Sequence, residues 1–327
     1  MSVVERKQLV ASAPKSNRQE NWTAWFKRLD DASRFLIANE VLNLFPLHAS
    51  FVLEVALRDR DELVRSCAVD AIGEAEMKAF VPQLLRLLHK DPSELVRAGA
   101  AESLGLIGDL QAVPHLIQAL EDRAAVVRLW AAGSLGYFAS SSEIRLALHK
   151  LLTKERYGNG RVAAYTSLVL QGEERYFTHV LRGLRSHSFH ARCAAANSLP
   201  EVIRPWNASR CFEVLAHAIT KERYRGARCT FYRTLCDLSE CYEEGLVLLE
   251  AAYRRGDVDA GLYLCEAKWE RGDKAGALEI VRELKMSTVG GKADWMTSAQ
   301  GEWALSLLEL PAGDECKEVL KEEQARE

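Results

Sequence analysis

The chain has 327 residues, 48% of them hydrophobic and 27% charged, with a formal net charge of −3. That composition excludes wholesale disorder and leaves room for two domains or one long repeat array. No stretch approaches the apolar length of a membrane span and MSVVERKQLV has no apolar leader core, so no membrane association is expected and the cytoplasm is the expected compartment.

The small net charge hides a segregation. Residues 145–233 hold 16 Lys and Arg against 6 Asp and Glu, whereas residues 234–327 hold 11 against 21. A basic waist followed by an acidic third creates a field that a charged partner would feel. The eight cysteines lack the paired spacing of a disulfide framework.

In chain order, residues 1–18 are polar and read as a flexible N-terminus. Residues 19–240 form a repeat array, residues 241–316 a second run of shorter helical hairpins with a capping helix, and residues 317–327 a charged tail. The array is built on one phrase, seen as DELVRSCAVDAIG, PSELVRAGAAESLG and RAAVVRLWAAGSLG. Its arginines are Arg65, Arg97 and Arg128, and looser copies anchor at Arg34, Arg161, Arg192 and Arg228. Three residues after most of these stands an alanine (Ala68, Ala100, Ala131, Ala164, Ala195). Seven after stands an aliphatic residue (Val41, Ile72, Leu104, Leu135, Leu168, Leu199, Leu235). Offsets of 3 and 7 share one helical face, so each phrase is an amphipathic helix, here called B. Gly73, Gly105 and Gly136 are expected to weaken it near its end.

Before each B helix runs a second helical pattern, A, as in FVPQLLRLLHKD and SEIRLALHKLLTKE; Pro82 and Pro114 suit its first turn. A hairpin of 31–33 residues cannot bury its own apolar face, so stacking is obligatory. TKERY occurs twice, at 153–157 and 220–224, each time closing an A helix. Gly158, Gly160 and Gly226 then read as the reversal of the chain. In the last third Gly256 and Gly272 read as helix C-caps, and Asp257 and Asp273 as the N-caps that follow. A final helix is expected at about Asp294 to Glu309.

The phrase resembles the HEAT-like repeats typified by the phycobilisome-lyase family, strongly from Leu47 to Ser140 and loosely over Arg34 to Leu235. KWERGDKAGALEIV resembles the middle of one tetratricopeptide unit. The resemblance implies an all-α, right-handed α-solenoid of six or seven HEAT-like hairpins and two tetratricopeptide-like ones. It also implies an acid–arginine ladder between units, for which Asp61 with Arg65 and Asp91 with Arg97 fit; later units lack the acid at that position. Relatives with this repeat include bilin lyases, alkylpurine DNA glycosylases and metal-dependent hydroxylases. The hydroxylases carry His-Glu pairs, and this chain has no His-Glu dipeptide.

No catalytic residue, metal or cofactor is assigned. His187, His190 and Cys193 stand at three-residue steps, but a structural zinc needs four ligands. The angular map of helix B is more informative. It turns Asp70, Glu74, Glu102, Leu106, Leu129, Trp130 and Tyr137 away from the core, as an apolar, aromatic patch with acids toward its N-terminal side. The expected function is therefore a non-catalytic scaffold binding a protein partner in its groove. The alternatives are nucleic-acid binding through the waist by Arg161, Arg192, Arg225, Arg228 and Arg233, pairing of that waist with the chain's own acidic third, or a bilin-lyase-like or glycosylase-like role.

Overall fold

The structure, a computed structural model, describes residues 3–239, 242–287, 296 and 298–307. Every regular element among them is helical, and none is long and apolar enough to cross a membrane. The chain divides into two compact units, Met1–His179 and Val180–Glu327.

The first unit opens with α1 (Val3–Ala11) inside the segment expected to be loose. Buried tryptophans hold the residues after it: Trp22 Nε1 donates to the Ser16 carbonyl at 2.7 Å, and Trp25 Nε1 to Ser12 Oγ at 3.0 Å. Hairpins follow in the expected A–B order. The A helices are α2 (Gln19–Arg28), α4 (Ala49–Ala56), α6 (Val81–Lys90), α8 (Ala112–Ala119) and α10 (Ser142–Lys154). The B helices are α3 (Asp31–Leu44), α5 (Glu62–Glu74), α7 (Glu94–Ile107), α9 (Ala125–Leu135) and α11 (Gly158–Leu170), and each packs beside the next. The alanines at offset 3 and the aliphatics at offset 7 are fully buried, so the sequence period does describe the core.

Two joints recur between successive B helices. The first is a glycine–serine contact. A Cβ on Gly73 would lie 2.7 Å from Ser103 Cβ, one on Gly105 2.6 Å from Ser134 Cβ, and one on Gly136 2.9 Å from Ser167 Oγ. The serines use that closeness: Ser103 Oγ donates to the Val69 carbonyl at 2.9 Å, Ser134 to Ala101 at 2.9 Å, and Ser167 to Ala132 at 2.6 Å. Gly73 and Gly105 therefore lie inside their helices rather than ending them, whereas Gly136 is the C-cap of α9. None has positive φ, and the left-handed C-cap of α7 is Gly108 (φ 68°). At Gly73 and Gly105 the neighbouring serine and its backbone occupy the space of a side chain, and at Gly136 the Ser167 and Leu170 side chains do.

The second joint is the ladder, and its register differs from the expected one. Arg65 forms a two-point ion pair with Asp91 (2.8 and 2.9 Å), Arg97 with Asp122 (2.9 and 3.0 Å), and Arg128 with Glu155 (2.7 and 3.3 Å). Arg34 meets Asp59 at 2.7 Å. Each arginine thus reaches the acid of the following unit; among the described residues only Arg34 of these four also pairs with an acid of its own unit, Asp31 at 2.6 Å. The remaining donors of each go to its own turn, as Arg97 Nη1 does to the carbonyls of Asp91 and Pro92. Asp61 instead caps α5, accepting from Leu63 N. The acid also accepts the turn amide two residues on: Ser93 N to Asp91, Ala124 N to Asp122, Tyr157 N to Glu155. The ladder therefore persists beyond the strict repeats, because Glu155 takes the place of aspartate. Gly158 and Gly160, expected in the reversal, lie in the first turn of α11, and Gly160 leaves room for the longer acid: a Cβ there would sit 3.1 Å from Glu155 Cγ. Burial alone would raise the acids, but the facing guanidinium and the turn amide outweigh it, so Asp122 and Glu155 lie below the usual carboxylate range.

The second unit begins within α12 (Phe177–Gly183) and continues through α13 (Phe189–Asn197), the short α14 (Leu199–Val202), α15 (Ala208–Lys221), α16 (Arg225–Ser239), α17 (Glu243–Arg254), α18 (Val258–Glu270), α19 (Lys274–Ser287) and α20 (Ala299–Leu307). The second TKERY supplies Glu222, which holds Arg192 at 2.5 and 3.0 Å. Gly256 (φ 88°) and Gly272 (φ 85°) are left-handed C-caps, and Asp257 and Asp273 accept amides of the helices that follow, as expected. Both ends of the expected last helix, Asp294 and Glu309, and the tail 317–327 lie outside the described residues.

Candidate functional site

The B helices of the first unit share one outward face. Offsets −2, 2, 5 and 9 from the repeat arginine fall within a narrow sector of the helical wheel. On α5 these positions are Leu63, Cys67, Asp70 and Glu74, and on α7 Leu95, Gly99, Glu102 and Leu106. On α9 they are Val126, Trp130 and Gly133, with Tyr137 in the turn just after the helix. Leu63 is 49% exposed, Leu95 48%, Leu106 49%, Trp130 39% and Tyr137 57%. Trp130 is therefore not folded into the core. Leu129, at offset 1, is half-buried, turned toward the side of α9. Leu63 and Leu95 were missed in the sequence because they precede the arginine; carrying the period two residues upstream finds them.

Asp70, Glu74 and Glu102 lie on this face on adjacent helices. A Cβ on Gly99 would sit 3.0 Å from Asp70 Oδ1, so the carboxylate leans across the floor between α5 and α7. None of the three has an ion pair or hydrogen bond among the described residues. Although Asp70 still reaches solvent, the surrounding helices strip enough water, with Glu74 adding like charge, to push it up to about 6. Glu102 is raised by burial first, then by Asp70 and Glu74. Burial, and then Asp70, also raise the Cys67 thiol, which suppresses its thiolate and hence its reactivity.

The residues of the basic waist do not converge. Arg161 donates to Tyr165 Oη at 2.8 Å and to the carbonyls of Leu152, in α10, and Glu155. In the second unit Arg192 is held by Glu222, and Arg225 makes a two-point pair with Asp259 (2.7 and 2.8 Å). Arg228 meets Asp257 at 3.3 Å, beside the Tyr232 hydroxyl that donates to the same acid. Arg233 lies 3.7 Å from Glu266, with its guanidinium 5.3 Å over the Tyr263 ring. Arg225, Arg228 and Arg233 of the waist thus pair with acids of the acidic third within the second unit. Another polar cluster, His149, Tyr165, Tyr176 and His179, is stacked on itself, with His149 Nε2 2.8 Å from Glu173 Oε1. His187 and His190 are exposed. Among the described residues no three His, Cys, Asp or Glu side chains gather as metal ligands would.

A family model for HEAT repeats matches residues 49–136, the stretch from α4 to the end of α9. Comparison with curated proteins finds no match. Among solved structures, the CpcE–CpcF complex of the phycocyanin lyase of Nostoc sp. PCC7120 is similar at 18% identity, over 73% of this chain and 96% of that one (TM-score 0.49). The Escherichia coli protein YibA aligns at 15% identity over 91% and 99% (TM-score 0.38). Kap121p aligns at 14% over 93% of this chain, which spans 32% of that much longer one (TM-score 0.40). These likenesses concern the fold: helical hairpins stacked as a solenoid.

Proposed function

We propose that the protein is a non-catalytic interaction scaffold that holds a protein partner on the B-helix face of its first unit. One observation supports this most directly: apolar and aromatic side chains from three successive B helices stand exposed on one face, beside carboxylates that the chain leaves unpaired. Large side chains of this kind are where binding energy concentrates, and a stacked array offers them without spending its core. Nucleic-acid binding finds no comparable support, because its candidate arginines are engaged within the chain.

The test is a double variant, Trp130→Ala with Tyr137→Ser. Both rings are exposed, so the melting temperature should stay within about 3 °C of the parent. Crosslinked partners captured from native cells and quantified by mass spectrometry should fall away together. An unchanged partner set would end the proposal.

A further inference from the structure

The face contains a notch. Gly133 lies on α9 one turn after Trp130, and the exposed Tyr137 follows in the turn that ends the helix. A Cβ there would meet nothing within 4 Å, whereas those on Gly73, Gly105 and Gly136 would strike the next helix. Packing therefore explains the other glycines and not this one. Glu102 and Trp130 hold, one unit on, the same repeat offsets as Asp70 and Gly99, so the register brings the acid to the side of the indole. Aromatic walls thus adjoin a carboxylate, with two more acids behind it. An apolar side chain seated here would strip water from these acids and offer nothing in return, and an acidic one would be repelled. A cation satisfies both parts of the notch: its charge meets the carboxylate, and its face or stem lies on the rings.

We infer that the notch at Gly133 takes a lysine or arginine side chain from the partner protein, projecting from a segment whose apolar neighbours rest on Leu95 and Leu106. The inference rests on the reading of this face as a docking surface, and the experiment separates the two. Randomised twelve-residue peptides displayed on phage are selected against the full chain, and the enriched sequences are synthesised with a fluorescent label. The expected sequences carry Lys or Arg within four residues of a large apolar side chain. Replacing that cation by Gln should weaken binding at least ~10-fold, as should Asp70→Asn with Glu102→Gln on the protein. Gly133→Leu, which fills the notch, should do the same. Gly133→Ala serves as the folding control and should melt no lower than the parent.

Peptides lost on Trp130→Ala but carrying no preferred cation, or bound within ~2-fold by the Asp70→Asn/Glu102→Gln protein, overturn the inference and leave the docking face standing. A selection yielding no peptide, or only peptides indifferent to Trp130→Ala, removes both.

Discussion

The two units handle charge in opposite ways. In the first, the repeat arginines Arg34, Arg65, Arg97 and Arg128 are spent on the ladder, and Asp70, Glu74 and Glu102 of the B-helix face are left without cations among the described residues. In the second, Arg225, Arg228 and Arg233 each find an acid of the following helices. The joints differ as well. The first unit repeats one glycine–serine contact and one arginine–acid rung, while the second keeps a rung, Arg192 on Glu222, and otherwise uses individual solutions such as Tyr232 on Asp257 and Arg271 on the Ser239 carbonyl. Identical joints keep the linkage in one layer of the stack and leave the opposite face of each B helix uncommitted. Individual joints draw that face into the fold. The difference teaches that the segregated charge of the sequence marks one region closed on itself and one left open.

The sharpest way to break this comparison is to remove a rung. Arg97→Ala leaves Asp122 largely buried without its cation and should cost about 3 kcal/mol, read as a fall in the urea midpoint. Gly105→Ala comes next: its methyl would sit 2.6 Å from Ser134 Cβ and 3.0 Å from the Ser134 backbone, so a loss of about 2 kcal/mol is expected.

The open face should respond in the other direction. Asp70 titrates at about 6 in the folded chain, above its unfolded value, so its contribution is favourable below about pH 4 and is lost as pH rises through 6. Asp70→Asn should therefore stabilise the protein at pH 7.5 by about 1 kcal/mol, discounted for the solvent its carboxylate reaches, and should change nothing at pH 4. Thermal melts at the two pH values check it. Gly133→Ala should add about 0.7 kcal/mol, the helix propensity of alanine with no clash to oppose it. Smallest is Arg225→Ala in the second unit, whose half-exposed pair should be worth less than about 0.5 kcal/mol.

Much of the architecture was legible because it is periodic. The offset-3 residue, alanine in most B helices, and the offset-7 aliphatic were set by counting from each repeat arginine, and burial follows them. What stayed hidden was contact across units. A glycine near a helix end, such as Gly73 or Gly105, reads as a terminator in any local window, and only the neighbouring Ser103 or Ser134 shows it to be a close approach. The acid opposite Arg65 stands 26 residues away, so the nearer Asp61 drew attention instead. In TKERY the glutamate seemed part of the punctuation, although it carries the rung for Arg128 and Arg192. The exposed acids were placed by the helical wheel, but their lack of partners needed every surrounding helix to be seen. The self-pairing of Arg225, Arg228 and Arg233 was open between several readings until α17 and α18 were placed beside α16.

The glycine–serine contact has a further consequence. Helices α7 and α9 each carry both halves of it, a serine toward the preceding neighbour and a glycine toward the next, whereas α5 carries only the glycine and α11 only the serine. A module with both halves can follow a copy of itself. Duplicating or deleting the α8–α9 hairpin would present a matching edge on either side, so the array can change length by whole hairpins while its two ends, each holding a single half, mark where the series begins and stops.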